Sequence, residues 1–300
     1  MSRFKPLAYQ PSKAVLEYIS FGKRKHLYAM CPAIRKMEEI LPYHLKLVEL
    51  DSNKERDYIA MMIDSFSLSF LMDGQENNMS MRKTCSTKKR VYWLTSLGPE
   101  QAAEKFVLYN LSREGTRIKN VAISVGPEFI SKCVPIAIKN LRVNRTTAWF
   151  PTNIPIENVA VDTIVREDTL KMAKHVTVRL PERVAERINT EIVSEWNCES
   201  IQIDSSMRSE EIADYCNKVS KRTDRPIGSR LDANHNSPVE FLFEILHSNM
   251  NARKTVLNNR TCAAISIVES TELNVYGSTD DDRYVIVEVC VRGTAIDQVV

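Results

Sequence analysis

The chain has 300 residues, 43% hydrophobic and 26% charged, which is enough apolar side chain for a sizeable core and excludes a disordered or collagen-like composition. A formal net charge of +3 is too small to indicate a polyanionic partner on its own. The basic clusters at 21–26 and 81–90 lack interleaved aromatic residues and are interpreted as solvated faces or loops. We therefore predict a folded protein that binds no nucleic acid.

The lengths of the apolar runs and the spacing of the cysteines indicate where the protein is located. No stretch approaches the roughly 18 apolar residues of a membrane span, and the N-terminus has no signal-peptide run. The seven cysteines are scattered without a C-x-x-C pair, which favours reduced, mostly buried thiols. We expect a cytoplasmic or nuclear protein with no membrane partner.

Three short helices are predicted in the first forty residues. Pro11 and Ser12 can start the first, Pro32 can open the third, and Pro42 ends it. Apolar residues recur at helical spacing and share one face of each helix, and those of the second helix are expected to point inward. They are Val15, Leu16 and Ile19 in the first helix, Leu27 and Met30 in the second, and Ile34, Met37 and Ile40 in the third.

The next stretch changes its hydrophobic period. The segments KLVELD (46–51) and SFSLSFL (65–71) are typical of strands with one buried face. Residues 73–90 are polar and turn-forming, so they are predicted to be a loop. Residues 100–111 have helical spacing.

Five short segments then recur, each with a polar pair followed by two apolar residues separated by one. They are KNVAIS (119–124), KNLRVN (139–144), ENVAVD (157–162), KHVTVRL (174–180) and ESIQID (199–204). The first apolar residues, at 121, 141, 159, 176 and 201, are 20, 18, 17 and 25 residues apart, close to the 20–29 of leucine-rich repeats. Stacked strands of this kind share a continuous core that no single repeat can form.

The expected fold class is therefore α/β: a three-helix module, an irregular leucine-rich-repeat-like strand and helix stack, and a C-terminal β-hairpin. Return helices are expected at 182–196 and at 209–219, the latter with Ser209 as N-cap. Residues 238–247 are a helix or a strand, and 262–292 form the hairpin. A plain α/β or α+β domain with evenly spaced strands is the alternative, because the repeats lack the Asn or Cys ladder of standard leucine-rich repeats.

The sequence contains no recognisable catalytic motif. Glycine-rich phosphate loops, H-E-x-x-H and G-x-S-x-G are absent, and the five histidines are far apart. We therefore predict no catalytic residues, no metal ligands and no cofactor, and interpret His235 as a polar loop residue. Trp149 and Phe150 are candidate partner-binding residues, since aromatic side chains are enriched at interface hot spots, although buried packing is the simpler reading.

The N-terminal segment KPLAYQPSKAVLEYISFGKRKHLYAMCPAIRKMEEILPYHLKLVEL resembles the start of a nematode-expanded family of uncharacterised proteins. Their opening helices in turn resemble an F-box, the module that docks onto the adaptor subunit of a cullin ubiquitin ligase. The resemblance implies that Leu7, Val15, Leu16, Ile19, Leu27 and Ile34 are shared between module packing and adaptor binding. This chain has no tryptophan near the end of the module, and Pro6-Leu7 stands where Leu-Pro is usual.

These observations predict residues 1–45 as an F-box-like helical module and residues 46–300 as a repeat-like recognition region. The leading hypothesis is a protein-recognition protein, not an enzyme, that acts as a substrate receptor of a cullin ubiquitin ligase. Its partners would be the ligase adaptor and a substrate protein. The alternative is a stand-alone scaffold whose N-terminal helices only cap the stack and protect its open edge. An enzyme of unrecognised type is the third hypothesis.

Overall fold

The structure is a computed structural model that describes residues 9–53, 55, 57–73, 76–83, 90–124, 129, 137–144, 156–164, 170, 173–181, 187–279 and 283–297. It is a mixed α/β protein, as predicted. The chain divides into two compact units, Met1–Ile156 and Glu157–Val300. The predicted boundary at residue 45 is not the division between these units. None of the described helices is long and apolar enough to cross a membrane.

The first unit begins with three helices, as the sequence predicted, and continues as a sheet that carries one further helix. The helices are α1 (Tyr9–Tyr18), α2 (Phe21–Met30), α3 (Pro32–Ile40) and α4 (Pro99–Asn110). The strands are β1 (His44–Asn53), β2 (Tyr58–Ile63), β3 (Phe66–Asp73), β4 (Glu76–Lys83), β5 (Arg90–Thr95), β6 (Arg117–Ile123) and β7 (Ala137–Val143). Prolines at the first helical position begin α3 and α4, where the missing N–H costs no hydrogen bond.

The sheet of this unit has the order β7-β6-β1-β2-β3-β4-β5. Strands β7, β6 and β1 are parallel, whereas β1 to β5 form an antiparallel meander. Val48, Val121 and Leu141 lie on adjacent strands in register and are all buried. The alternating apolar residues of β1, β6 and β7 thus form one continuous layer of the core.

Two expectations for this unit were wrong. The predicted loop at 73–90 contains β4, whose backbone pairs with both β3 and β5, and these two ladders outweigh the polar composition of the segment. Met30 was expected to point inward but is 71% exposed, and Ile40, expected to share a face with Ile34 and Met37, is 67% exposed. Each stands at the last residue of a short helix, where the core no longer covers the predicted face.

The second unit contains nine described strands and three described helices. The strands are β8 (Asn158–Val161), β9 (His175–Val178), β10 (Ser200–Met207), β11 (Arg230–His235), β12 (Arg253–Leu257), β13 (Arg260–Val268), β14 (Thr271–Gly277), β15 (Tyr284–Val291) and β16 (Ile296–Asp297). The helices are α5 (Thr190–Glu195), α6 (Ser209–Ser220) and α7 (Val239–Met250).

The strand order in this unit is β16-β12-β13-β14-β15-β11-β10-β9-β8. Strands β8 to β11 are parallel, with Val159, Val176, Ile201 and Leu231 side by side in register. All five recurring segments therefore contain a strand, and β11 adds a parallel strand that was not predicted. The predicted C-terminal hairpin is confirmed as the antiparallel strands β13, β14 and β15.

Two helices of this unit overlap the predicted return helices. Within 187–196, α5 begins at Thr190, because Asn189 is its N-cap and the side chain accepts a hydrogen bond from the Ile192 amide at 3.3 Å; residues 182–186 of the predicted helix lie outside the described residues. The N-cap of α6 is Arg208 instead of Ser209. The Ser209 hydroxyl bonds the buried ring of His235 at 2.9 Å, so His235 is not the loop residue that was expected.

Candidate partner-binding surfaces

A ladder of polar side chains connects neighbouring parallel strands. Its members are the second residues of the polar pairs in the recurring segments. The Asn140 amide donates to Asn120 Oδ1 at 2.7 Å, and the Asn120 amide donates to the Lys46 carbonyl at 2.9 Å. In the second unit His175 Nδ1 and Ser200 Oγ lie 2.8 Å apart. The sequence was judged to lack such a ladder, because its members differ in residue type and only the register aligns them.

On β9 to β11 of the second unit, the residues that alternate with the buried row are polar and exposed or half-buried; on β15 this face also includes the buried Ile286 between Tyr284 and Glu288. We call it the polar face; its residues are His175, Thr177, Arg179, Ser200, Gln202, Asp204, Arg230, Asp232, Asn234, Tyr284 and Glu288. Asp204 is its centre: it accepts hydrogen bonds from Arg179 at 2.6 Å, Gln202 at 2.7 Å and the Tyr284 hydroxyl at 3.0 Å. These bonds join β9, β10 and β15 through one carboxylate.

Other pairs on this face are held in the same way. Arg230 and Asp232 form a bidentate pair, in which Nη2 donates to Oδ1 at 2.6 Å and Nε donates to Oδ2 at 2.9 Å. The Tyr276 hydroxyl donates to Glu288 at 2.7 Å, and burial together with this bond raises the pKa of Tyr276. Side chains fixed in this way lose little conformational freedom when a partner binds. The polar face is therefore an ordered surface.

A separate groove lies on the sheet of the first unit and has a volume of about 450 Å³. Its walls come from β1, β2, β3, β6 and β7 and include Glu49, Asp51, Met62, Arg142 and Asn144. The volume falls within the roughly 300–1,000 Å³ of ligand-binding clefts. These residues are up to 95 positions apart along the chain, so no local sequence pattern predicts that they line one groove.

The N-terminal helices are fixed to the rest of the first unit by a buried charge cluster. Arg24 and Glu38 are both fully buried. The Arg24 guanidinium donates to the carbonyls of Pro42 at 2.6 Å and Leu41 at 2.9 Å, which end α3. Arg24 belongs to the basic cluster that was expected to be solvated, and that expectation was wrong.

Glu38 is surrounded by cations and aromatic rings. Its carboxylate lies 3.2 Å from Lys25 Nζ, 3.4 Å from Arg113 Nη2 and 3.7 Å from Arg24 Nη2, and it accepts a hydrogen bond from Tyr43. Burial by itself would raise the pKa of Glu38, but the Tyr43 bond and the charges of Lys25 and Arg113 hold it below its usual value. Arg113 follows α4, so this contact spans 75 residues of sequence.

Lys25 projects among four aromatic rings. Its ammonium lies 5.5 to 5.7 Å from the ring centres of Phe21, Tyr28, Tyr43 and Tyr109, within cation–π range. Burial lowers the pKa of Lys25 to about 8, against the opposing effect of Glu38. The cluster therefore joins α2, α3, β1 and the end of α4 into one packed body.

The predicted site residues are not brought together on one exposed surface. Leu16 is 2% exposed, whereas Ile19, Leu27 and Ile34 are half-buried. Of the predicted adaptor-binding residues that the structure describes, only Val15 is exposed, at 49%. Tyr18, which was not predicted, is 83% exposed one turn further along α1. Leu7, Trp149 and Phe150 lie outside the described residues.

Four of the five described cysteines are buried, and all five are free thiols, as the sequence predicted for them. Burial raises the pKa of Cys198 to about 12, which leaves almost no thiolate at neutral pH. Within the described residues no group of three or more His, Cys, Asp or Glu side chains is placed to hold a metal ion.

Comparisons of this chain with protein-family models, with curated proteins and with solved structures give no match.

Proposed function

We infer that this chain is a protein-recognition protein, and that the polar face of its second unit contacts the partner. The observation that supports this most directly is the network centred on Asp204, which orders an open polar surface across β9, β10 and β15. The parallel strands beneath it keep adjacent side chains about 4.8 Å apart, which produces a regular array of polar groups. A leucine-rich-repeat-like stack is the arrangement that this array favours.

The test begins with capture of a partner by the full-length chain, followed by its identification and purification for binding measurements. Truncation of two exposed residues of the polar face, Arg179→Ala and Gln202→Ala, should together weaken binding by about tenfold or more, as expected for an interface hot spot. The matched control pair is Arg187→Ala and Asn217→Ala, which lies outside the polar face and should change the dissociation constant by less than about twofold.

The proposal fails if the control pair and the polar-face pair weaken every purified partner equally. It also fails if neither pair affects any partner. Circular dichroism melting of all variants separates a loss of binding from a loss of folding, since Arg179 and Gln202 are exposed and their truncation should leave the melting temperature nearly unchanged.

Docking onto a cullin-ligase adaptor is the second candidate function. The observation in its favour is the pair of exposed apolar side chains Val15 and Tyr18, one helical turn apart on α1. The buried cluster around Glu38 favours the alternative role, in which the helices cap the sheet, because it ties α2 and α3 into the core. Both roles are compatible with the exposed face of α1.

Binding of purified adaptor by the full-length chain tests this candidate. The double variant Val15→Glu and Tyr18→Glu should abolish adaptor binding, while Ile227→Glu, an exposed apolar residue of the second unit, should not. Substitution of Leu16 is unsuitable, because its burial means that any loss could come from unfolding. If the adaptor does not bind the wild-type chain, the helices serve the fold alone.

A further inference from the structure

The groove on the first unit differs from the polar face of the second unit in how its charges are paired. On the polar face, Arg179 and Arg230 each contact a carboxylate at 2.6 Å. In the groove, Glu49 and Asp51 form no ion pair with any residue that the structure describes. Among the described residues these two carboxylates are thus left for a ligand, while Arg142 Nε donates a hydrogen bond to Asn144 Oδ1 at 3.3 Å.

Opposite charges stand on the two sides of strand β6 in this groove. Glu49, Ala122 and Arg142 lie on adjacent parallel strands in register. Two residues further along, Asp51 lies on β1 and Asn144 directly follows β7. The central strand β6 contributes only the small side chains of Ala122 and Ser124 to the groove. The floor is therefore low between two carboxylates on one side and a guanidinium with an amide on the other.

The separation of these charges is set by the sheet. Neighbouring strands are about 4.8 Å apart, so β1 and β7 are separated by roughly 9.6 Å across β6. In an extended chain, side chains two residues apart point the same way and are about 6.6 to 7 Å apart at the backbone. The flexible stems of a Lys or Arg and of a Glu or Asp can span the remaining distance. An extended segment that crosses the strands therefore matches both charges at once.

We propose that this groove binds an extended protein segment in which a basic and an acidic residue are two positions apart. The basic side chain contacts Glu49 and Asp51, and the acidic side chain contacts Arg142. The proposal rests on the proposed function, since it assigns a chemistry to the partner of a protein-recognition chain. The lining is polar and open to solvent at Asp51 and Arg142, which suits a peptide better than an apolar small molecule.

The probe is a fluorescently labelled, end-blocked peptide Gly-Ser-Lys-Ser-Glu-Ser-Gly, measured by anisotropy with the full-length protein at low salt. Replacing its Lys by Gln should weaken binding to the wild type by about fivefold to tenfold, the sum expected for one cation near two exposed carboxylates. The same change in the peptide should have little effect on its binding to the double variant Glu49→Gln and Asp51→Asn. Replacing the peptide Glu by Gln should likewise weaken binding to the wild type but not to the Arg142→Gln variant.

Glu114→Gln is the matched control, because Glu114 is an exposed carboxylate in the loop between α4 and β6, outside the groove. This variant should bind all three peptides as the wild type does. Three results would overturn the proposal: no binding of the Lys-Glu peptide, equal losses in wild type and groove variants, or binding of free lysine and glutamate as tight as that of the peptide.

The two proposals can fail separately. If a purified partner depends on the polar face while the peptide and the groove variants have no effect, only the groove proposal is wrong. If no partner depends on the polar face but the peptide binds as described, the groove proposal stands and the proposed role of the polar face is wrong.

Discussion

The substitution Glu38→Gln tests the role of the buried cluster that fixes the N-terminal helices. Glutamine retains the shape of the side chain and can still accept the hydrogen bond from Tyr43, but it removes the negative charge. Arg24, Lys25 and Arg113 then remain as three cations within 3.2 to 3.7 Å of a neutral amide. Arg24 is fully buried and cannot turn to solvent, so its charge is left without a counter-charge.

Removing one partner of a buried ion pair costs about 3–5 kcal/mol. A value near the lower end is expected here, because Arg24 retains its bonds to the carbonyls of Leu41 and Pro42 and Lys25 can lose its proton. About 3 kcal/mol is a large part of the 5–15 kcal/mol that stabilises a typical domain. The variant should therefore unfold at a clearly lower urea concentration at pH 7.

The unfolding free energy should depend on pH in the direction set by the pKa of Glu38. The folded-state pKa of Glu38 is below its ordinary value, so the charge stabilises the fold above the unfolded pKa of about 4.3 and is lost as pH falls through the folded pKa. The difference in unfolding free energy between wild type and variant should be full at pH 7 and shrink below about pH 4.

Urea titrations followed by circular dichroism, with Glu114→Gln as the exposed control, provide the measurement. The control should change the unfolding free energy by less than about 0.5 kcal/mol. A loss below about 1 kcal/mol for Glu38→Gln at pH 7 would refute the idea that this carboxylate balances buried cations.

Three further predictions concern stability. Burial lowers the pKa of Lys25 to about 8, so unfolded chains bind more protons than folded chains between about pH 8 and 10. The unfolding free energy of the wild type should therefore rise by about 2 kcal/mol relative to Lys25→Met over that range. A difference that does not change with pH in urea titrations would contradict this prediction. Gly22→Ala would place a methyl group 1.7 Å from the Phe66 ring and should lower the unfolding free energy by about 1–3 kcal/mol. Gly277→Ala, with open space around it, should lower it by less than about 0.5 kcal/mol. Equal melting temperatures of the two variants would contradict this prediction. Asn120→Ala removes two ladder bonds and should lower the unfolding free energy by about 1–2 kcal/mol, and an unchanged urea midpoint would argue against the ladder.

Ten of the sixteen described strands and most helices could be predicted, because their signals are local. Val176 and Val178 alternate with polar neighbours, and this period of two is the property that a one-sided sheet requires. Strand β11 was missed although Ser229 and Arg230 precede Leu231 and Ala233 as in the other segments, because Ala233 is small and only weakly hydrophobic. β4 was missed because its pairing with two neighbouring strands is not visible in its own composition.

The candidate surfaces were less accessible to sequence reasoning. Arg24 and Glu38 stand in charged segments that are typical of solvent-exposed helices, and their neighbours in sequence do not indicate that they are buried. Their burial depends on Arg113, 75 residues beyond Glu38, and on Tyr43 at the start of the sheet. The groove likewise requires Glu49 and Arg142 to lie two strands apart.

The sequence by itself determined the three N-terminal helices, the five recurring strands and the antiparallel C-terminal strands, since hydrophobic period and turn residues act over a few positions. The tertiary structure alone decided which polar residues are buried, which form the ladder and which charges stay unpaired. Those properties depend on contacts between residues far apart in sequence, where the cost of burying a charge or a polar group is set by the partner that the fold brings to it.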